Sequence, residues 1–186
     1  MIEDLLFVAE SKRSECEEMI EDTLTQMDIL VEDYLTELFS INHEIKETGM
    51  YVGQETTVGS ICPYVKKEHR HEFSPVYLEF RKYTKSKVAS TPVLSRRLKA
   101  VTARHKSAIA TENYYSKQSI TSWTEGRHWE TVMLWDFEMK ARGLRALFST
   151  YYKTRKELLR MEQQLKKLIE EGKLEEKSDN ERSHNF

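Results

Sequence analysis

Residues 16–45 read CEEMIEDTLTQMDILVEDYLTELFSINHEI. Apolar side chains fall at Cys16, Ile20, Leu24, Met27, Val31, Tyr34, Leu38, Ile41 and Ile45, always three or four residues apart. A mean spacing of about 3.6 puts them all on one face of an α-helix and leaves Glu and Asp on the other, solvated face. Neither Gly nor Pro interrupts the chain from Met1 to Thr48, and Gly49 stands where a C-cap would stop the run. The pattern predicts a helix over residues 3–47, with 11–14 as its one weak point.

A second apolar stripe runs through Trp129, Met133, Phe137, Ala141, Leu144 and Phe148, then Tyr151, Leu158, Met161, Leu165 and Leu168. Thr121 or Ser122 is placed to cap it, with Glu125 completing a capping box, and Gly172 to end it. Gly126 and Gly143 are tolerated weak points inside it. The polar KLEEKSDNERSHNF that follows is expected to fray. Neither stripe can stay wet, so the two helices are expected to bury each other as an antiparallel, coiled-coil-like pair. Pairing between two chains, as a homodimer, is the alternative.

Between the helices the texture changes. Residues 50–52, 58–65 and 76–83 are rich in β-formers, with Gly53, Gly59 and Ser74-Pro75 as punctuation. Val76, Leu78 and Phe80 alternate with Tyr77, Glu79 and Arg81, the pattern of a strand with one dry and one wet face. A loop is expected over 84–91, and 92–109 reads either as a short basic helix or as a strand and loop. The predicted fold is α+β and mostly helical. An acidic helix (1–48), a basic antiparallel sheet module (49–120), a long helix (121–172) and a polar tail (173–186) form one structural domain. Such a small sheet is marginal alone and must pack on the helices.

Charge is sorted along these same segments. The net formal charge is only −2, yet residues 1–60 hold three bases against fifteen acids. Residues 61–120 hold thirteen bases against four acids, and the remainder is nearly balanced. A local excess of cations concentrates polyanions near one surface. The candidate set is Lys66, Lys67, Arg70, Arg81, Lys82, Lys85, Lys87, Arg96, Arg97, Lys99, Arg104 and Lys106, with Tyr, Ser and Asn interleaved as neutral donors. Phosphate backbones want this mixture, so double-stranded DNA is the expected partner. Neutralisation by the acidic first helix is the competing reading, as is an acidic protein partner held by a coiled-coil adaptor. RNA is a third, because Tyr64, Tyr77 and Tyr83 could stack on unpaired bases.

Other chemistry finds little support. The sequence contains no GxxxxGK[ST], GxSxG, HExxH or DxDxDG motif, its carboxylates are expected on solvated helix faces, and no enzymatic activity is expected. His69 and His71 flank Arg70 among cations that would repel a metal, so no metal or cofactor is expected. Two cysteines, Cys16 and Cys62, fit neither a disulfide framework nor a zinc cluster. No run of eighteen apolar residues and no signal-peptide pattern occurs, which predicts a cytoplasmic protein with no membrane contact. Trp129 lies in the core stripe, whereas Trp123 and Trp135 face elsewhere and are expected to dock on the sheet.

The order of segments resembles that of the MobI-type auxiliary proteins of conjugative transfer, which mobile genetic elements carry alongside a relaxase. A helical start and Gly-punctuated strands lead to VYLEFRKYTKSK (76–87) and LSRRLKAVTARHK (94–106). NYYSKQSI (113–120) and EGRHWETVMLWDFEMKARGLRALF (125–148) follow. The likeness covers roughly residues 50–165. It implies a non-enzymatic relaxosome accessory that binds DNA at a transfer origin and helps start mobilisation. The cations from Arg81 to Lys106 fall in the matching basic stretch, and Tyr115, Ser116, Trp129, Glu130, Glu138 and Arg145 in the Tyr-Ser step and the helix after it. The acidic first helix and residues 92–109 depart from that pattern.

Overall fold

The structure, a computed structural model, describes the backbone of residues 1–50, 57–67, 76–85, 92–98 and 115–183. Side chains are described at 1–50, 57–65, 78–82 and 115–172. Helix α1 (Ile2–Thr48) and helix α3 (His128–Ser183) flank three strands, β1 (Ile61–Lys67), β2 (Val76–Lys85) and β3 (Pro92–Leu98), and a short helix α2 (Lys117–Trp123). The architecture is the expected one, mostly helical with a small antiparallel sheet between two long helices that pack together.

Local chemistry explains most boundaries. α1 runs unbroken through 11–14, and Gly49 at φ +77° closes it by donating its N–H to the Ile45 carbonyl at 2.9 Å. The start of the second helix differs from expectation. Ser116 caps α2, its hydroxyl accepting from the Ser119 N–H at 3.1 Å. Glu125 (φ +55°) and Gly126 (φ +83°) then make a turn before α3 begins at His128, so neither Thr121 nor Ser122 is the cap. At the other end, α3 continues past Gly172 to Ser183 instead of fraying. The Lys, Leu and Glu around Gly172 favour helix, which offsets the roughly 1 kcal/mol that one glycine costs.

The chain forms two compact units, and both long helices contribute to each. The first comprises Met1–Thr23 and the chain from Leu147 onward. Its helices are antiparallel, and ion pairs tie them together. Arg13 Nε donates to Glu162 Oε1 at 2.7 Å, Arg155 Nε donates to Glu17 Oε1 at 2.7 Å, and Lys166 lies 2.9 Å from Glu10. Ala9, Ile20, Thr23 and Phe148 are buried here, and so is Glu162.

The second unit, Leu24–Ala146, holds the sheet. Strand order is β1-β2-β3, antiparallel throughout, with a register shift between Lys82 and Tyr83. β2 extends through Thr84 and Lys85, which were expected in a loop, and the ambiguous segment from Pro92 begins as a strand. Met50 lies outside any strand, and the rest of the expected first strand lies outside the described residues. Phe80 anchors the sheet to the helices, with ring centroids 4.7 Å from Tyr115, 5.5 Å from Phe137 and 6.1 Å from Trp123. Trp123 therefore packs on the sheet as expected, and Trp129 is in the core. Trp135 instead lies under the Arg142 guanidinium at 5.1 Å.

Gly59 marks where the chain threads between the long helices. Asn42 grips its backbone from both sides, accepting its N–H at 2.6 Å and donating to its carbonyl at 3.1 Å. A Cβ at this position would lie 2.6 Å from Trp129 Cη2, 2.7 Å from Leu38 Cδ1 and 3.0 Å from Glu130 Oε1. Gly59→Ala is thus an overpacking change, expected to cost about 1–3 kcal/mol. A urea midpoint equal to that of the native protein would show that this crossing has room to spare.

Candidate nucleic-acid interface

Two carboxylates of α3 carry the sheet module. Glu130, fully buried, accepts the N–H of Ser60 at 2.6 Å and of Ile61 at 2.8 Å through Oε1. Its Oε2 accepts Arg127 Nε at 2.6 Å, and Arg127 also donates to the Ser60 hydroxyl at 3.2 Å. Glu138, also fully buried, accepts the Tyr115 N–H at 2.9 Å, Arg142 Nε at 3.0 Å and Arg145 Nη2 at 2.6 Å, all through Oε1. Arg142 returns a bond to the Tyr115 carbonyl at 2.7 Å, and Arg145 reaches the Leu78 carbonyl of β2 at 3.4 Å. The module enters its first strand at Ser60-Ile61 and rejoins the helices at Tyr115. One acid therefore holds each end of it.

These carboxylates correct the expectation that acids lie on solvated faces. Backbone amides and guanidinium groups replace the water that Glu130 and the Oε1 of Glu138 lose on burial, which is the condition for a charge to sit inside, while Glu138 Oε2 is buried without a hydrogen-bond partner. Burial also acts on their neighbours. It pushes the Tyr115 hydroxyl up to about 12 and, aided by Glu130, the Cys62 thiol up to about 12. Cys62 is thus a packed, inert thiol.

The cations divide into those whose surroundings are visible and those whose side chains lie outside the described residues. Arg81, on central strand β2, lays its guanidinium over the Tyr64 ring, 4.0 Å from the centroid. Tyr64 in turn donates its hydroxyl to the buried Glu79 carboxylate. Lys82 pairs with Glu125 in the α2–α3 turn, and that contact is the main reason the Glu125 carboxyl titrates below its usual range. Two of the twelve candidates are thus engaged within their own chain, though with residues of the module and the turn. Among the described residues, three acids of α1 pair elsewhere: Glu10 with Lys166, Glu15 with Lys12, and Glu17 with Arg13 and Arg155.

Backbone register pairs four of the candidates two by two. Arg81 pairs across the ladder with Arg97, and Lys82 with Arg96, on adjacent rows of β2 and β3, so the two pairs project to opposite faces of the sheet. Lys66 and Lys67 end β1 opposite Tyr77 and Val76, and Lys85 ends β2 opposite Pro92. Arg70, Lys87, Lys99, Arg104 and Lys106 lie outside the described residues, as do His69 and His71. Among the described residues, no cluster of three His, Cys, Asp or Glu could hold a metal ion, and no helix is long and apolar enough to cross a membrane.

The class so defined is an antiparallel helical pair that carries a small basic sheet, clamped at both ends by buried acids. No family model, curated protein or solved structure matches the chain. Of the residues picked out by the MobI-type resemblance, Tyr115, Glu138 and Arg145 meet in one buried cluster, Glu130 forms the other clamp, and Ser116 caps α2. Residue-by-residue reading missed Arg127 and Arg142, since an Arg three or four residues from a Glu on a helix is ordinarily a surface pair.

Proposed function

We propose that the β2–β3 ladder grips duplex DNA through its phosphates. The protein would act in the cytoplasm as a non-enzymatic accessory that works with a relaxase at a transfer origin to begin conjugative mobilisation. The DNA part of this reading is carried by one observation, the two like-charged pairs Arg81–Arg97 and Lys82–Arg96 on neighbouring rows of the ladder. Like charges placed directly across a β-ladder destabilise it. A sheet that tolerates two such pairs, one on each face beside its β3 edge, has a use for positive charge there, and a phosphate backbone supplies the matching anion. The transfer-origin part rests on the resemblance in segment order.

The test is binding to labelled duplex, single-stranded DNA and RNA over a salt series. If six to ten cations meet phosphates, duplex affinity falls by roughly 10³–10⁵ between 50 and 200 mM salt. A flat salt response, or a preference for single strands or RNA over duplex, overturns the reading.

A further inference from the structure

The turn between α2 and α3 sets one acid among the cations of the sheet module. Glu125 Oε1 pairs with Lys82 Nζ of β2, and its Oε2 lies 3.7 Å from Arg127 Nη1. Arg96 stands opposite Lys82 on the ladder. One carboxylate thus bridges two cations, each through its own oxygen, at the row where a third cation is placed.

Stability does not account for this contact. Glu125 is 63 % exposed, and ion pairs open to water contribute little to folding. Its backbone sits at φ +55°, a left-handed conformation that glycine or asparagine adopts at lower cost than glutamate. Backbone strain of this kind gathers at ligand clamps and switch regions. The two cations are placed more firmly than the acid between them. Lys82 is carried on the central strand and is 24 % exposed. Arg127, 10 % exposed, is fixed by Glu130 Oε2 and the Ser60 hydroxyl. The carboxylate, by contrast, reaches them from a solvent-facing turn and can swing back into water.

We propose that Lys82 and Arg127 form a phosphate subsite of the duplex interface, which Glu125 fills with its own carboxylate until DNA displaces it. A phosphodiester has two free oxygens of its own, so it bridges the same two nitrogens in the carboxylate's place. The subsite rests on the duplex-DNA reading and adds two things to it. Arg127, on the helical side of the module, joins the cations that meet phosphate, and Glu125 holds affinity down by competing for them.

The experiment compares duplex binding by the native full chain, Glu125→Gln and Asp136→Asn over a salt series. Asp136 is a matched control, 66 % exposed and paired with Lys140 of its own helix. Glu125→Gln should bind duplex roughly threefold to tenfold more tightly than the native protein at about 100 mM salt, with a salt slope steeper by about one. Asp136→Asn should bind like the native protein. In a Lys82→Gln background the gain from Glu125→Gln should shrink, because the cation it releases is gone. The melting temperature of Glu125→Gln should match the native value. Native-like affinity of Glu125→Gln, an equal gain in Asp136→Asn, or a gain undiminished without Lys82 overturns the subsite and leaves the duplex reading standing. A marked drop in melting temperature would make Glu125 a structural brace and overturns it too. Absence of duplex binding by the native protein and Glu125→Gln alike overturns both readings.

Discussion

Glu130→Ala and Glu138→Ala are each expected to destabilise the protein by about 3–5 kcal/mol, the range for removing one partner of a buried ion pair. Losing Glu130 orphans the Ser60 and Ile61 amides and leaves Arg127, 10 % exposed, without its buried carboxylate. Losing Glu138 does the same to the Tyr115 amide and strips Arg145, also 10 % exposed, of its closest anion. Each orphaned buried donor alone costs roughly 1–3 kcal/mol. Against a typical total stability of about 5–15 kcal/mol, either change removes a large share. In a domain of this size that corresponds to a melting-temperature drop of roughly 6–20 °C. Glu138→Gln keeps the shape and an acceptor but not the charge, and should fall between the two. Thermal unfolding followed by circular dichroism reads the effect. A shift below about 1 kcal/mol in both alanine variants would mean that the module is held by its apolar contacts, with Phe80 as the anchor.

The second large effect concerns binding, and the register makes it separable from folding. In Arg96→Glu with Arg97→Glu, each new acid faces a cation across the ladder, Lys82 and Arg81 respectively. Opposite charges placed directly across a ladder contribute roughly 0.2–1 kcal/mol apiece, so the double variant should be as stable as the native protein or slightly more so. Its affinity for duplex should nevertheless fall by roughly tenfold to a thousandfold, and the salt slope by roughly two, because two phosphate contacts are lost. Retention like the native protein's in a gel shift would move the site off this ladder. A lower melting temperature would count against the register itself.

Much of the fold is legible in single stretches of chain, because the relevant physics is local. The three-and-four spacing from Cys16 to Ile45 and the glycine at 49 yield a helix ending at Thr48. The alternation from Val76 to Arg81 yields β2. Where local signals compete, spacing alone misplaces the boundary. Ser122 with Glu125 resembles a capping box, yet the cap that forms is Ser116, because the turn at Glu125 and Gly126 separates α2 from α3. Gly172 resembles a stop, yet its helix-forming neighbours carry the backbone on to Ser183.

The candidate interface was legible as a set of cations but not as an arrangement. Composition identifies a basic middle; it does not say that Arg81 comes to face Arg97, because cross-strand register depends on hairpin geometry. The clamps were less visible still. Glu130 and Glu138 resemble any other acid on a charged helix, and what singles them out is the arrival of Ser60-Ile61 and Tyr115, 70 and 23 residues away in the chain. Periodicity and charge order, which are properties of neighbouring residues, were enough to establish two long helices, a strand-rich basic middle and an acidic opening. Which acids are buried, and which cations meet across the sheet, depended on contacts between distant segments. Those contacts exist only once the chain has closed on itself and burial has made each unpaired charge costly.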